Sequence, residues 1–317
     1  MMPSVSVVIP TYNRENWIER TLRSLYAQGV RDMEVIVVDD ASTDTTLEKV
    51  KKFRQVILVR QLKNKGPAVC RNVGIQLAKG SRILLLDSDV VLEKGCLNAL
   101  LGAKADIAFP QVLFENGTVF YPTNEKEKRY VKVSTAFVVK KESLRKLDSL
   151  FDERYYFVEE DTDFFLRCRY FGLTCQYVPS ATATHLLKEQ KEFLNMEQKY
   201  YLSLRNHIYS YLKLGWLPKG IRQEFESPRW SFMGKLLAMA ALNLNRLSLT
   251  DGKHEEKRSR LQRYAQALRG REKITERSRL VLWGLALKAV AWNVQNYQEI
   301  RRERQRVRAH PHEGSQP

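Results

Sequence analysis

The stretch Ile83-Leu84-Leu85-Leu86-Asp87-Ser88-Asp89 decides the fold class of this chain. Four consecutive apolar residues read as a strand buried on both faces, as strands of parallel sheets are. Two carboxylates stand at its exit, one residue apart. Strand side chains alternate faces, so Asp87 and Asp89 are expected to point the same way. Two such carboxylates repel each other unless a cation or a cationic partner sits between them. A hard divalent ion suits the position, because Mg²⁺ and Mn²⁺ take a few carboxylate oxygens together with the oxygens of a bound phosphate. A lone Asp-x-Asp is more often a solvated turn, so the weight falls on its surroundings.

Upstream, Val5–Ile9, Val35–Val38 and Val56–Val59 are further buried strands. Helical spacing fills the gaps: Asn13–Gln28 through Trp17, Ile18, Leu22 and Leu25, a helix with Thr46, Leu47 and Val50 capped by Ser42 or Thr43, and one opened by Gly66-Pro67 that runs to about Lys79. Strands and helices alternating at this pace imply a parallel sheet covered on both faces, hence an α/β fold. After Asp89 the rhythm changes. Ala108–Phe114, Thr118–Tyr121, Tyr130–Val133 and Thr135–Val139 read as shorter strands of mixed direction. Phe164–Phe171 reads as a helix, Cys175–Val178 as a strand, and Lys191–Leu214 as a long amphipathic helix.

Ligands of open α/β sheets bind outside the carboxyl ends of the strands, where strand order reverses. The polar residues gather at those ends: Pro10-Thr11-Tyr12-Asn13-Arg14 after the first strand, Asp39-Asp40-Ala41-Ser42 after the second, Asp87-Ser88-Asp89 after the fourth. A carboxylate such as Asp39 can accept from a base N–H or a ribose hydroxyl, and Tyr12 can lie against a base. Asn13 and Ser42 could equally be helix caps. No Gly-x-Gly-x-x-Gly and no Gly-Lys-Ser/Thr cradle is present, so metal and a basic residue would have to hold phosphates instead. Arg71 could project there from its helix, or could be a surface arginine.

The series Val7-Val8-Ile9-Pro10-Thr11-Tyr12-Asn13-Arg14, Val37-Val38-Asp39-Asp40-Ala41-Ser42-Thr43-Asp44, Asn64-Lys65-Gly66 with Arg71-Asn72-Val73-Gly74, and Leu86-Asp87-Ser88-Asp89 resembles the family 2 glycosyltransferases in order and spacing over roughly residues 4–215. The resemblance implies a GT-A fold, a nucleotide-sugar donor, a divalent metal and inversion at the anomeric carbon. On it, Pro10, Thr11, Tyr12, Asn13, Asp39, Asp40, Arg71, Asp87 and Ser88 would face the nucleotide sugar. Asp87 and Asp89 would hold Mn²⁺ or Mg²⁺, with His185 in the place of a family histidine that reaches the metal or the diphosphate. An inverting transfer needs a general base beside the acceptor hydroxyl. The acids of Phe157-Val158-Glu159-Glu160-Asp161-Thr162-Asp163 could simply complement a helix dipole. The family's Glu-Asp-x-Asp segment matches Glu160-Asp161-Thr162-Asp163, which makes Asp161 the base, Asp163 an orienting or capping group, and Glu160 the second choice for a catalytic role. Tyr200-Tyr201 with Arg205-Asn206 resembles a segment of sugar-polymer members, where Arg205 could counter phosphate charge.

The net charge of +17 is unevenly spread: residues 251–317 carry 16 basic and 8 acidic side chains. Such a tail suits an anionic surface, lipid or nucleic acid. Trp216-Leu217-Pro218-Lys219-Gly220 breaks the chain, so the expected division is a catalytic domain over 1–215 and a basic helical region over 216–317. The latter should hold helices at about 230–249, 254–269 and 276–300 and a disordered end from His310 to Pro317. Arg279–Tyr297 sets Leu280, Trp283, Leu287, Ala291 and Val294 on one stripe, with Lys288, Gln295 and Arg302 on the other side, and Ser231–Leu249 has a similar apolar face. Helices of this kind followed by Arg301, Arg302, Arg304, Arg306 and Arg308 suit a membrane interface; packing on the catalytic domain or on a second subunit is the alternative. Four cysteines without paired spacing fit a reduced, cytosolic chain. The start shows no charged n-region and no long apolar run, and no window reaches 18 uninterrupted apolar residues.

The expectation is thus an α/β, GT-A-type protein with a C-terminal helical extension. It would act at the cytoplasmic face of the cell membrane, moving a sugar to a glycan or lipid-linked acceptor. Nucleic acid is not the expected partner, and an oligomer is compatible with the sequence. A sugar-phosphate nucleotidyltransferase would need a glycine-rich, arginine-bearing loop that Pro10-Thr11-Tyr12-Asn13 does not offer. A non-catalytic basic binding protein would have no use for Asp87, Asp89 and Asp161 together.

Overall fold

A computed structural model describes residues 3–122, 128, 131, 133–186, 196–214 and 276–309, the side chains of 196 and 276–283 excepted. The chain divides into two compact units, Met1–Lys191 with Val307–Pro317, and Glu192–Arg306. The break expected at 216–220, the helices expected over about 230–249 and 254–269, and the tail from 310 onward lie outside the described residues.

In the first unit the β-branched runs form the expected parallel core. Strands β1 (Val5–Thr11), β2 (Met33–Asp39), β3 (Val56–Arg60) and β4 (Arg82–Leu86) alternate with helices α1 (Ile18–Tyr26), α2 (Thr46–Lys51) and α3 (Pro67–Leu77). β1 pairs in parallel with β2 on one side and with β4 on the other. Strand order therefore reverses at β1, which opens a crevice at the carboxyl ends of β1, β2 and β4. Every residue of β1 is buried. Val7, Ile9, Val35, Val37, Leu84 and Leu86 pack with Leu22 and Leu25 of α1, each such side chain contributing about 1.5–3 kcal/mol through removal from water. α3 lies directly on β1: a Cβ on Gly74 would stand 2.2 Å from Cγ1 of Val8.

Beyond β4 follow β5 (Val90–Leu92), α4 (Cys96–Leu101), β6 (Ile107–Phe114), β7 (Val119–Tyr121), β8 (Ala136–Lys140), α5 (Glu160–Tyr170) and β9 (Cys175–His185). The sheet order is β3-β2-β1-β4-β8-β6-β9-β5, with β7 attached to β6. β8 runs antiparallel to β4 and β6, and β9 is parallel to β6 but antiparallel to β5, the mixed directions expected of this half.

Several boundaries differ from the sequence reading, each for a local reason. α1 begins at Ile18, because Asn13 takes a left-handed backbone (φ 49°) and spends its side chain on the neighbouring loop. Neither Ser42 nor Thr43 caps α2. Ser42 Oγ accepts from Asn13 N–H, while Asp44 accepts from Thr46 N–H at the start of the helix. α5 begins at Glu160 rather than Phe164, so the acids form its first turn. β9 does not stop at Val178. A register shift opposite Pro110–Gln111 lets the ladder resume at Thr182 and run to His185, so His185 closes the strand instead of following it. β5 and α4, three and six residues long, are too short to leave a periodic signal. In the segment read as a strand over Tyr130–Val133, Val131 and Val133 are not in a strand.

In the second unit α6 (Met196–Leu214) and α7 (Glu276–Gln295) pack together, and α8 (Tyr297–Ala309) follows. The Arg205 guanidinium lies 4.7 Å over the Trp292 ring, and Asn293 donates its side-chain amide to the Arg205 carbonyl. On the remaining surface of α7 and the start of α8, Leu287, Val290, Val294 and Tyr297 are exposed. No helix among the described residues is long and apolar enough to cross a membrane.

Candidate active site

The three polar strand exits converge as the sequence implied, and they are braced against one another. Thr11 and Asp39 are register partners at the ends of β1 and β2. Asn13 N–H donates to Ser42 Oγ (2.9 Å) and Thr43 N–H donates to Asn13 Oδ1 (2.8 Å), so Asn13 and Ser42 tie the two loops together. Pro10 is an interior residue of β1, opposite Val38, and Tyr12 is half-buried at the exit. Asp39 is fully buried. Its Oδ2 accepts from Ser42 N–H and lies 3.6 Å from Arg60 Nε, while its Oδ1 has no partner.

Asp40 turns the other way. Its two oxygens accept from the backbone N–H groups of Lys65 and Gly66, both at 2.8 Å. Burial pushes its carboxyl above the usual range, and those two hydrogen bonds oppose the shift. Asp40 thus shapes the loop that leads into α3 rather than presenting a free oxygen to the crevice. Gly66 in that loop has φ +90°, and a Cβ there would stand 2.0 Å from the carbonyl oxygen of Tyr156. Gly66→Ala should therefore cost about 3 kcal/mol. Gly95→Ala, at φ +80° with nothing within 4 Å, should lose only the left-handed penalty of about 1–2 kcal/mol. Thermal unfolding of the two variants checks the ranking; equal losses would contradict the clash.

At the exit of β4 the structure corrects one expectation. The strand ends at Leu86, and Asp87–Asp89 form a turn closed by Val90 N–H donating to Asp87 O. Strand alternation stops before the two carboxylates, and each has its own cation. Asp87 Oδ1 accepts from Arg71 at 2.9 Å. Asp89 Oδ2 lies 3.4 Å from Arg14 Nε, and its Oδ1 lies 3.8 Å from His185 Nε2. Burial and the neighbouring Asp89 charge raise the Asp87 carboxyl, against the pull of Arg71. Buried Ser88 contributes its carbonyl, which accepts from Thr21 Oγ1. The His185 ring packs on Phe120 and edge-on to Phe114 (centroids 5.2 and 6.4 Å), and its Nδ1 is buried without a partner.

The acids before α5 divide their labour. Tyr156, Val158 and Glu159 all have positive φ, between 61° and 74°. For β-branched Val158 this is true strain, which costs about 1–3 kcal/mol and gathers at functional sites. The kinked segment sends Glu160 to Arg71 (3.0 Å). Asp163 is fully buried; it pairs with Arg167 at 2.9 Å and accepts from Tyr155 OH. Arg167 also reaches Asp148 and the carbonyls of Ser149 and Leu150. Asp163 thus points into the protein, toward Arg167 and Tyr155. Asp161 accepts a hydrogen bond from the adjacent Thr162 N–H and lines a cleft of about 280 Å³ with Val133, Phe157, Val158, Glu159 and Glu160. Burial, with the Glu160 charge adding to it and Arg71 opposing it, raises its carboxyl to about 8.

Sequence reasoning gave Arg14 no role, although it sits in the motif after β1. Only the fold carries it to Asp89, 75 positions away. Arg71, read as a surface arginine or a phosphate contact, is instead 4% exposed and held by two carboxylates. Among the described residues, no three His, Cys, Asp or Glu side chains converge as metal ligands. Mg²⁺ and Mn²⁺ need only one or two protein carboxylates when a substrate phosphate supplies the rest. Asp89, with the imidazole of His185 beside it, fits that requirement; Asp87 is engaged by Arg71.

The switch-point crevice, the Asp-x-Asp turn and the acids at a strained helix start thus meet at one edge of a mixed α/β sheet. The family model of glycosyl transferase family 2 matches residues 6–166, and the chain belongs to that family. It is 36% identical over 135 residues to an uncharacterized glycosyltransferase of Rickettsia felis, covering 42% of this chain and 22% of that protein. It is 42% identical over 102 residues to the poly(ribitol-phosphate) β-N-acetylglucosaminyltransferase TarS of Staphylococcus aureus, covering 30% of this chain and 18% of TarS. The matched stretches thus span about a fifth of these relatives. Residues 1–349 of TarS in complex with UDP-GlcNAc superpose with TM-score 0.54 at 22% identity, over 79% of this chain and 76% of that one. A mannosyltransferase of Pyrobaculum calidifontis with GDP-Man and Mn²⁺ superposes with TM-score 0.56 at 18% identity, over 93% and 88%. At these identities the likeness establishes the fold, which is GT-A.

Proposed function

We propose that the protein is an inverting glycosyltransferase that moves a sugar from a nucleoside-diphosphate donor to a hydroxyl of a glycan or lipid-linked acceptor. The observation that carries this reading is a set of buried polar atoms without partners. Thr11 Oγ1, Asp39 Oδ1, Arg71 Nε and His185 Nδ1 are four of the eight such side-chain atoms among the described residues, and all four belong to the strand-exit cluster. Buried polar groups are nearly always satisfied, so orphans gathered in one place mark where a polar ligand is expected. Asp39 Oδ1 suits a base N–H or a ribose hydroxyl, and Thr11 Oγ1 suits the same nucleoside.

In the reaction, the Asp161 carboxylate takes the proton of the acceptor hydroxyl in the cleft beside α5. That oxygen attacks the anomeric carbon, and the bond to the donor diphosphate breaks with its electron pair leaving on phosphate oxygen. Asp89 and His185 would hold Mn²⁺ or Mg²⁺, which when bound neutralises charge on the leaving diphosphate. The GDP-Man and Mn²⁺ of the Pyrobaculum neighbour, and the UDP-GlcNAc bound by TarS, support a sugar nucleotide as donor. The poly(ribitol-phosphate) acceptor of TarS supports a polyhydroxyl acceptor. UDP, GDP and dTDP, each with and without Mn²⁺, test the reading by thermal shift. A nucleotide at 100 times its dissociation constant stabilises the native state by about 2.7 kcal/mol, a rise in Tm on the order of 5 °C or more. If none of the three raises Tm, the reading fails.

The acceptor side of the proposal extends to location: a catalytic domain over 1–215, and a basic region over 216–317 that rests on the anionic cytoplasmic face of the cell membrane. Leu287, Val290, Val294 and Tyr297 recur at intervals of three and four residues, which sets them on one side of a helix, and Leu287 and Val294 are 67% and 70% exposed. Exposed Arg301 and Arg302 follow. An apolar stripe running into arginines matches a headgroup boundary, where each basic side chain contributes about 1 kcal/mol. The protein should co-sediment with vesicles containing phosphatidylserine, and Leu287→Ser with Val294→Ser should release it. Equal sedimentation with neutral phosphatidylcholine vesicles, or none with either, would remove the membrane from the account.

A further inference from the structure

Two neighbouring residues of α3 hold the donor and acceptor sides of the crevice in one frame. Asn72 makes a two-way bond with the backbone of Phe151: its Nδ2 donates to Phe151 O and its Oδ1 accepts from Phe151 N–H, both at 2.9 Å. The same Nδ2 reaches Glu153 Oε1 at 3.0 Å. Asn72 thereby fastens the chain that leads into the strained turn before α5. The Phe151 ring stacks on Phe164 of α5 (4.2 Å, 10°) and lies beneath the Arg71 guanidinium (5.4 Å). Above that ring the guanidinium forks, one terminal nitrogen on Asp87 Oδ1 at 2.9 Å and the other on Glu160 Oε1 at 3.0 Å. These partners lie 16 and 89 residues away in sequence. α3 itself cannot drift, because Gly74 sits against Val8 of β1.

We propose that Arg71 is a positioning residue that locks the Asp87 turn, on the donor side, to the start of α5, so that Asp161 stands in fixed register with the anomeric carbon. This rests on Asp161 being the base of the proposed transfer. The geometry itself does not depend on that role. A surface arginine would have no reason to be 96% buried with its two terminal nitrogens shared between carboxylates from distant elements. A guanidinium is suited to the task because its planar fork holds two carboxylates at a fixed angle, which a lysine ammonium cannot do. The charged groups acting on Asp161 are Glu160 and Glu159 from its own segment and Arg71 from α3, the last being the one that favours the carboxylate.

Two substitutions separate the fork from the charge. Arg71→Lys keeps the charge and loses the fork. Its kcat should fall at least tenfold, with the acid limb of the pH–rate profile within about 0.3 units of wild type. Arg71→Met keeps the bulk over Phe151 and loses the charge. Its acid limb should move up by about one unit as well. A second measurement needs no turnover. The thermal midpoint of Arg71→Met should fall more steeply than that of wild type between pH 7 and 9, and the added Asp161→Asn substitution should remove that excess slope. The slope effect without any transfer or donor hydrolysis by wild type upholds the strut and sinks the proposed function. An active wild type with an Arg71→Lys of unchanged kcat, or with an Arg71→Met whose acid limb and thermal slope both overlay wild type, overturns the assignment of Arg71.

Discussion

Asp161→Asn should reduce sugar transfer by about 10²–10⁴-fold, the contribution of a general base, while the donor nucleotide still raises Tm as it does in wild type. In the proposed transfer the carboxylate meets the acceptor proton and not the donor, so the loss should fall on kcat. The pH dependence has a definite sign. Burial holds the carboxyl up at about 8 in the folded protein, against 3.8 for a free aspartate. Between those values the native state holds a proton that the unfolded chain has released, so native stability is greatest below about pH 4 with respect to this group and declines as pH rises through 8. Wild-type rate should climb through an apparent pKa near 8 as the base forms, over the range in which the fold is losing stability. Asn carries no charge to bury and releases no proton on unfolding, so the variant should match wild type below about pH 4, be more stable at pH 6, and exceed wild type by the widest margin at pH 9. Rate against pH and thermal midpoint against pH measure the two halves. Undiminished transfer would exclude Asp161 as the base, and a lower midpoint at pH 9 would exclude the burial argument.

Asp89→Asn should reduce transfer by about 10²–10³-fold, through a different route. Asp89 is 7% exposed and faces Arg14 and His185. An amide of the same shape cannot balance Arg14 and is a poor ligand for Mg²⁺ or Mn²⁺, which prefer carboxylate oxygen. The expected signature is the loss of the Mn²⁺-dependent part of the donor thermal shift, with the metal-free part preserved by Asp39 and Thr11. Chelation of wild type should reproduce it. A variant that keeps the full Mn²⁺ increment would move the metal away from Asp89, while Asp161→Asn, which leaves the increment intact, serves as the control.

How far the site could be read in the sequence depended on the distance over which each residue acts. The strand-exit groups were legible because they follow strands directly: a buried strand fixes where its exit lies, so Thr11 and Asp39 could be placed at the crevice before any contact was known. The partner of Asp163 lies at helix range, since Arg167 is one turn away. The contacts of Asp40 were not legible because its oxygens accept from Lys65 and Gly66, 25 and 26 residues on, and no local pattern announces a carboxylate that turns toward such a loop. The span of β9 was misjudged for a similar reason. Pro179 reads as a stop in the sequence, but the partner strand β6 accepts a register shift there and rescues the ladder.

Local chemistry therefore determined the parallel half of the sheet, the crevice at its carboxyl edge, the kinds of group gathered there and the basic character of the C-terminal region, because alternation, β-branching and turn residues act within a few positions of themselves. Tertiary structure alone decided the pairing of charges: Asp87 with Arg71, Arg71 with Glu160, Asp89 with Arg14 and His185. A carboxylate in the sequence has many possible counter-ions, and burial raises the cost of every arrangement that leaves one unpaired. That selection is made only when β4, α3, the strained turn and α5 are packed against one another, and it ties Glu160 to Arg71 while Asp161 lines the cleft beside it.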